Sequence, residues 1–343
     1  MKNNLFRSTF GLSTRLVVGV LTLVAVSISS CDQQKEILPP VNVPSPTPTP
    51  IPQFPIDEII LPPAQTARVI DVTFKNDKGL TLKGKLSYPA LAQGEKVPAM
   101  VVLHGCGGLW KNDVPAQGME TQFNEWVDIF KTKKYITLFI DSYTPRTLTE
   151  FCDIAPPADA ICSAAYERPR DAYAGLAFLR SLPNVIDNRI GLLGFSHGGS
   201  TAIATVVDAP AVAKTTWTVW YNDQTYTVPA PIDRPAEGGF KTAIAYYPGA
   251  GFYSYFGSIY DATKGKYLNY APLLVLGASK DDLIAATKIF KDRALNSGST
   301  TVEFVEYVGA NHSFDIPLTN NTDNQNAKTQ ARNKVSQWLS AKL

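Results

Sequence analysis

The sequence has few of the residues that bind metal ions. It contains three histidines and four cysteines among 343 residues, and no paired Cys-x-x-Cys motif occurs. Structural and catalytic zinc sites draw mainly on clustered Cys and His ligands. We therefore expect no metal site, and the chemistry inferred below needs no cofactor.

The chain also lacks an excess of charge of either sign. Its 32 Lys and Arg residues nearly balance its 30 Asp and Glu residues, for a formal net charge of +2. Without a basic stripe a protein cannot displace the counterions of a phosphate backbone, so we expect no nucleic-acid partner. An apolar content of 45% is ordinary for a globular domain with a substantial core.

No apolar run is long enough to span a membrane. The longest, residues 16–28, is shorter than the stretch of about 20 residues that a spanning helix needs. It follows the positive residues Lys2, Arg7 and Arg15, a pattern typical of a secretory signal peptide. We assign residues 1–30 to that signal and exclude them from the fold.

The signal ends in "ISSC", which resembles the lipobox of bacterial lipoproteins. The resemblance implies lipidation of Cys31; the alternative is an ordinary signal peptidase site followed by an unrelated cysteine. Residues 39–55 are rich in proline and favour extended polyproline II structure. We therefore expect residues 31–65 to tether a domain, residues 66–343, to a membrane of the bacterial envelope, with the N-terminal lipid as its only membrane contact.

Three cysteines remain after Cys31. Export implies an oxidising compartment, and Cys152 and Cys162 lie close together in sequence, so we predict a disulfide between them. The alternative is that both are buried free thiols. The thiol of Cys106 is predicted to be incidental.

Residues 66–343 alternate between strand-like and helix-like segments. An antiparallel hairpin is predicted around Asp77–Lys78–Gly79. Short apolar runs then alternate with segments of helical period, which predicts an α/β fold with a mostly parallel sheet covered by helices on both faces. The apolar runs are "PAMVVLHG", "YITLFIDS", "RIGLLGF", "KTAIAYYP", "APLLVLGA" and "TVEFVEYV"; the predicted helices cover residues 119–132, 169–181, 200–207, 283–296 and 325–342.

Residues 215–239 interrupt this alternation. Aromatic residues alternate on both sides of Asn222–Asp223, which predicts a β-hairpin insertion. The hairpin either overhangs the site as a partial lid or is a surface feature without that role.

The stretch "LLGFSHGGS" is a Gly-x-Ser-x-Gly motif between a predicted strand and a predicted helix. A sharp strand-to-helix turn exposes such a serine and makes it a candidate nucleophile, here Ser196. A serine hydroxyl needs a base, and elimination among the three histidines selects His312. His197 is adjacent to the serine, and His104 lies in a glycine-rich loop, whereas His312 follows the last strand, where the chain order nucleophile, acid, base would place it.

The base in turn needs a carboxylate partner. Asp281 and Asp282 follow the run "APLLVLGA", at the carboxyl end of a predicted buried strand. We assign Asp281 to catalysis and Asp282 to capping the helix that follows. The oxyanion of an acyl-transfer reaction needs N–H donors, and we assign the backbone amides of Cys106 and His197 to that role.

Seven segments are informative as a set, in their order along the chain: "VLHGCGGL", "IDSYTPR", "RPRDAYAGLAFL", "IDNRIGLLGFSHGGS", "AYYPG", "LLVLGASKDDLI" and "YVGANHSFD". Together they resemble the dienelactone hydrolase family of α/β-hydrolases, from about residue 66 to the C-terminus. The resemblance implies the α/β-hydrolase fold, an acyl-enzyme intermediate and a triad at Ser196, Asp281 and His312. Family members that act on dienelactone use a cysteine nucleophile, so Ser196 argues against that substrate. The insertion and the expected export argue against a role in the cytoplasmic catabolism of aromatic compounds.

The expected function is an exported serine hydrolase that cleaves small carboxylic esters. The alternatives are a peptidase or polyester hydrolase using the same triad, and a non-catalytic binding lipoprotein. Arg146 and Tyr247 follow predicted strands and are candidates for substrate contact; Arg146 alternatively pairs with Asp141 or another acid.

Overall fold

A computed structural model describes residues 66–150, 152, 162–212, 217–221, 224–228, 231–249, 256–257, 260–316 and 321–343. The predicted signal peptide, Cys31 and the tether lie outside these residues. Of the helices in the described part of the chain, none has the length and apolar character needed to cross a membrane.

Eight strands form one sheet, in the order β1-β2-β4-β3-β5-β8-β9-β10, and β6 pairs only with β7. From β4 to β10 neighbouring strands are parallel, while β2 is antiparallel to both β1 and β4. The predicted opening hairpin is confirmed. The strands are β1 (Arg68–Lys75), β2 (Thr81–Tyr88), β3 (Val97–Leu103), β4 (Ile136–Asp141), β5 (Val185–Phe195), β6 (Trp217–Tyr221), β7 (Gln224–Val228), β8 (Thr242–Tyr246), β9 (Leu273–Ala278) and β10 (Val302–Tyr307).

The five predicted helices are present with shifts of up to three residues at their ends, and a short helix at residues 209–212 was not predicted. The helix after Ser196 begins at His197, three residues earlier than predicted, although glycines occupy its second and third positions. Close backbone packing explains both glycines, because a Cβ on Gly198 would lie 2.4 Å from Leu103 O and a Cβ on Gly199 would lie 2.8 Å from Tyr246 O. The helices are α1 (Thr121–Thr132), α2 (Arg168–Arg180), α3 (His197–Thr205), α4 (Ala209–Val212), α5 (Ile284–Asn296) and α6 (Thr322–Lys342).

The sheet has a hydrophobic core on each face. Side chains alternate between the two faces of a strand, so Leu192 of β5 joins one core and Leu193 joins the other. Helices α2, α3 and α5 pack on the first core, and α1 and α6 pack on the second. Strands β4, β8 and β9 are buried at every position, which explains their continuous apolar sequences. The predicted α/β fold with both faces covered is confirmed.

The predicted hairpin insertion is present. Strands β6 and β7 pair antiparallel, from Trp217 opposite Val228 to Tyr221 opposite Gln224. Its side chains and its turn lie outside the described residues, so the choice between lid and surface feature stays open.

The predicted Cys152–Cys162 disulfide is wrong. Cys152 is bonded instead to Cys106, with a Cα–Cα distance of 4.8 Å. Cys162 is a buried free thiol whose Sγ lies 3.7 Å from the carbonyl oxygen of Ser142, and burial raises its pKa to about 12. Nearness in sequence is a poor guide here because the fold brings the loop after β3 to the segment after β4. The thiol of Cys106 is therefore not incidental.

We expect reduction of the Cys106–Cys152 disulfide to destabilise the protein. The bond joins residues 46 positions apart, and the chain-entropy model gives about 4 kcal/mol for a loop of that length. Thermal unfolding with and without dithiothreitol measures the effect, since Cys152 is exposed to reductant. Cys152→Ser should unfold at the temperature of the reduced protein, and Cys162→Ala should retain the sensitivity to reductant. Identical unfolding of the wild type in both conditions would contradict the prediction.

Candidate active site

Ser196 occupies the turn between β5 and α3. Its backbone has φ 48° and ψ −111°, a conformation that non-glycine residues seldom adopt. Hydrogen bonds hold it there: its amide donates to Tyr246 O at 3.0 Å, and its carbonyl accepts from the amides of Ser200 (2.9 Å) and Gly249 (3.2 Å). The hydroxyl is thereby presented beyond the carboxyl end of the sheet, in the geometry expected of a nucleophile at a strand-to-helix turn.

The glycines on either side of Ser196 are required by close packing. A Cβ on Gly194 would lie 2.0 Å from the carbonyl oxygen of Gly198. A Cβ on Gly198 would lie 2.4 Å from the carbonyl oxygen of Leu103, at the end of β3. Real Cβ atoms do not approach a carbonyl so closely, so the tight turn depends on both glycines.

His312 lies beside the Ser196 hydroxyl. Its Nε2 is 2.9 Å from Ser196 Oγ, and its Nδ1 is 2.7 Å from Asp281 Oδ2. The three residues follow β5, β9 and β10, whose carboxyl ends share one edge of the sheet. The histidine side chain is 33% exposed, whereas the aspartate side chain is 5% exposed. The imidazole is thus open to solvent on one side and held by a buried carboxylate on the other.

Two loops fix the relative positions of His312 and Asp281. The amide of Ser279 donates to Tyr307 O at 3.0 Å, and the amide of Lys280 donates to Ala310 O at 2.9 Å. The aspartate also accepts a 2.9 Å bond from the Leu283 amide at Oδ1, leaving Oδ2 for the histidine. Both carboxylate oxygens are therefore occupied.

The prediction that Asp282 caps the following helix is wrong. Asp282 is exposed, and no side-chain bond caps the start of α5. Asp281 makes the bond to the turn as well as the bond to His312, because the tight turn after β9 aims its carboxylate at both.

This arrangement can move a proton from a hydroxyl to an imidazole. In neutral histidine one ring nitrogen donates and the other accepts. Because Asp281 accepts at Nδ1, the proton resides on Nδ1 and Nε2 is free to take the Ser196 proton. A positive imidazolium would then face a buried carboxylate.

The other two histidines are held by structural contacts. His104 is fully buried; its Nδ1 donates to Gly105 O at 2.6 Å, and its Nε2 accepts from the Ser142 amide at 3.2 Å. His197 Nδ1 accepts from Arg168 at 2.7 Å. Burial lowers the pKa of each imidazole well below its usual range, and the Arg168 guanidinium lowers both further.

The predicted oxyanion donors lie on two segments close to the nucleophile. The loop after β3 passes close to Ser196, since a Cβ on Gly105 would lie 3.5 Å from Ser196 Cβ. Cys106 is the next residue of that loop, and its disulfide ties the loop to Cys152. His197 is the first residue of α3, directly after Ser196, and the backbone N–H groups of a first helical turn point toward the N-terminal end of the helix. Their oxyanion role stays a prediction.

Comparison with known proteins shows which family the chain belongs to. A family model described as the dienelactone hydrolase family matches residues 85–343. The chain belongs to this family. The predicted resemblance is confirmed, and the chain is an α/β-hydrolase. No curated protein matches it significantly.

Solved structures share the fold of this dienelactone hydrolase family member. Dipeptidyl peptidase 4 from Porphyromonas gingivalis has a TM-score of 0.53 and 15% identity, covering 81% of this chain and 36% of the peptidase. A dienelactone hydrolase-like promiscuous phosphotriesterase from metagenomic libraries has a TM-score of 0.51 and 16% identity, covering 79% of this chain and 98% of the phosphotriesterase. The chain thus spans about a third of the peptidase's length, and at these identities the likeness concerns the fold alone.

Arg146, predicted to contact substrate or pair with an acid, forms a buried ion pair in this hydrolase. Its Nη1 and Nη2 donate to the two carboxylate oxygens of Asp171 at 2.8 and 2.9 Å, and Nη1 also donates to Ser142 O. The arginine side chain is 5% exposed. The substrate-contact prediction is therefore wrong, and the acid is Asp171 rather than Asp141. Asp141 instead accepts from Trp110 Nε1 and from two amides of the loop after β4.

Tyr247, the other predicted substrate contact, is buried behind His312. Its ring centroid is 5.0 Å from that of the histidine. Its hydroxyl donates to Asp315 and accepts from Gln122 Nε2 at 2.8 Å. Gln122 also donates to both oxygens of Asp315, at 2.9 and 3.0 Å. The residue therefore packs against the catalytic histidine candidate, and contact with substrate stays a prediction.

Sequence reasoning missed this network of Gln122, Tyr247 and Asp315. The one signal available was the motif "NHSFD", which places an acidic residue three positions after His312. Asp315 is fully buried, and burial raises its pKa although Gln122 and Tyr247 donate to it.

We expect Asp315→Asn to change how the stability of the protein depends on pH. An unfolded aspartate ionises near pH 4. Because the folded pKa is raised, the folded wild type holds this proton longer as pH rises, and its stability falls between the two pKa values. The free energy of unfolding of the variant minus that of the wild type should therefore rise through this window, by at most about 1.4 kcal/mol per pH unit. Denaturant titrations from pH 3 upward measure this difference. A difference that does not change with pH would contradict the raised pKa of Asp315. Asp282→Asn, which changes an exposed aspartate, is the control.

Proposed function

We propose that this protein is a serine hydrolase that cleaves carboxylic esters through an acyl-enzyme. The observation that supports the proposal is the unbroken contact from Ser196 Oγ through the His312 imidazole to the buried Asp281 carboxylate. Membership of the dienelactone hydrolase family supports hydrolysis as the reaction class.

The contacts suggest the order of steps. As Ser196 Oγ bonds to the ester carbonyl carbon, His312 Nε2 takes its proton, and Asp281 stabilises the resulting imidazolium. The backbone amides of Cys106 and His197 donate to the oxyanion. When the tetrahedral intermediate collapses, His312 delivers the proton to the leaving alcohol. Water then gives a proton to His312 and its oxygen to the acyl carbon, which releases the carboxylic acid and returns the proton to Ser196.

An ester requires less of the site than an amide, because an alkoxide leaves more readily than an amine anion. The same three side chains nevertheless serve peptidases, and specificity depends on the shape of the pocket rather than on the fold. Peptide and polyester bonds are therefore the alternative outcomes of the test below.

Substrate class is tested with one panel. A series of p-nitrophenyl esters of increasing acyl length is assayed beside peptide p-nitroanilides and a polyester film. We expect kcat/KM to be highest for a soluble ester. Higher kcat/KM on an anilide, or release of acid only from the film, would replace the ester assignment. A folded protein that hydrolyses nothing and does not react with a fluorophosphonate would favour a binding role.

We further propose that the enzyme is exported and anchored by a lipid on Cys31. Support comes from the apolar run and lipobox-like residues of the N-terminus. The Cys106–Cys152 bond also fits an oxidising compartment, since disulfides are rare in the cytosol of most bacteria.

A further inference from the structure

One buried arginine contacts both segments that carry the proposed oxyanion donors. Arg168, the first residue of α2, has no exposed surface. Its Nη2 donates to the carbonyl oxygen of His104 at 2.8 Å, and its Nη1 donates to Nδ1 of His197 at 2.7 Å. His104 is two residues before Cys106, and His197 directly follows the nucleophile.

The two segments leave different strands of the sheet, so their spacing is not fixed by the chain. His104 follows β3 and His197 follows β5. A guanidinium is planar and carries its donors in a rigid fork, which suits it to holding two acceptors at a set distance. Lysine offers a single nitrogen and cannot reproduce that geometry.

The contact with His197 requires a neutral imidazole, because only then can Nδ1 accept a bond. Burial and the adjacent guanidinium both lower the pKa of His197, so the ring remains an acceptor at neutral pH. The arginine is further held against the ring of Tyr143, whose centroid lies 5.4 Å from its Cζ.

We propose that Arg168 is a positioning residue that sets the separation of the two oxyanion donors by joining the carbonyl of His104 to the ring of His197. It does not touch the reacting atoms. The inference depends on the proposed function, since it assigns a role within the same acyl-transfer site.

The test compares Arg168→Met and Arg168→Lys with the wild type on a p-nitrophenyl ester. Loss of one oxyanion donor lowers kcat about 10²- to 10³-fold in a serine hydrolase, so misplacing donors should lower kcat by about 10- to 100-fold. KM should change by less than about threefold, because the bound ester makes these bonds mainly in the transition state. The acidic limb of the pH–kcat/KM profile should not move, since His312 and Asp281 remain in contact.

Arg293→Met is the matched control. Arg293 is also a fully buried arginine, and it donates to the backbone carbonyls of Lys264 and Asp261. Like the Arg168 variants, Arg293→Met removes a buried, hydrogen-bonded guanidinium and should lower the free energy of unfolding. It should leave kcat per folded molecule within about twofold of the wild type. Should Arg168→Met fail to fold, Arg168→Lys and His197→Ala continue the test: the latter keeps the backbone amide, removes one of the two links, and should lower kcat without moving the pH profile.

The outcomes separate this inference from the proposed function. If Ser196→Ala abolishes hydrolysis but the folded Arg168 and His197 variants keep kcat within about twofold of the Arg293→Met control, the positioning role is wrong and the proposed function stands. A shift of the acidic limb in Arg168→Lys would also overturn the inference, because the arginine would then act through the base. If Ser196→Ala remains as active as the wild type, the proposed function itself fails.

Discussion

Ser196→Ala is expected to lower kcat for ester hydrolysis by about 10⁶-fold, the loss found when the triad serine is removed from a serine protease. The methyl group has no proton to give to His312 Nε2 and no electron pair to form the acyl bond. The turn between β5 and α3 should persist, because the contacts that hold it are backbone hydrogen bonds to Tyr246, Ser200 and Gly249. Initial rates, with unfolding temperature as the check on folding, measure the effect.

A matched serine provides the control for this prediction. Ser181, exposed at the end of α2, bonds only locally to Phe178 O among its side-chain contacts. Ser181→Ala should retain wild-type rates. If both alanine variants keep wild-type rates, the hydroxyl at 196 is not the nucleophile.

Asp281→Asn is expected to lower kcat by about 10⁴-fold, as the equivalent change does in a serine protease triad. The amide oxygen can still accept from the Leu283 amide, as Oδ1 does now. That leaves the NH₂ group facing His312 Nδ1, which must then accept. The histidine proton moves to Nε2, and Nε2 can no longer take the proton of Ser196.

The neighbouring acid is the control for this substitution. Asp282→Asn removes an exposed carboxylate from the same turn and should leave kcat within about twofold of the wild type. If the two variants lose activity equally, the loss results from a disturbed turn and not from the missing carboxylate contact with His312. If Asp281→Asn retains full activity, the base does not need its acidic partner.

The small number of histidines and the order of the strands predicted much of the candidate site. With three histidines in the chain, position after the last strand was enough to bring His312 into consideration as the partner of Ser196. Apolar runs marked the buried strands because strands covered on both faces have no polar side to alternate with. The roles of the adjacent Asp281 and Asp282 could be assigned only in part, because the carboxylate of Asp281 bonds both to the turn and to His312.

What the sequence did not reveal depends on contacts between distant segments. The partner of Cys152 is set by where the loop after β3 meets the segment after β4, and spacing in the chain carries no such information. Arg146 and Tyr247 do follow strands at the expected edge of the sheet, but their polar atoms form hydrogen bonds with buried aspartates. Arg168 begins a segment that carried the family resemblance, but the sequence assigned it no role, because the role of a buried arginine depends on its partners.

The most direct measurement is to find the atom that carries the acyl group. The protein is mixed with p-nitrophenyl acetate, quenched in acid within the first turnover, digested and analysed by mass spectrometry. The triad account predicts an acetyl group on Ser196, accumulation of that adduct in Asp281→Asn only at a much lower rate, and no adduct at that position in Ser196→Ala. Rapid hydrolysis in Ser196→Ala, with the acetyl group on another side chain, would contradict it.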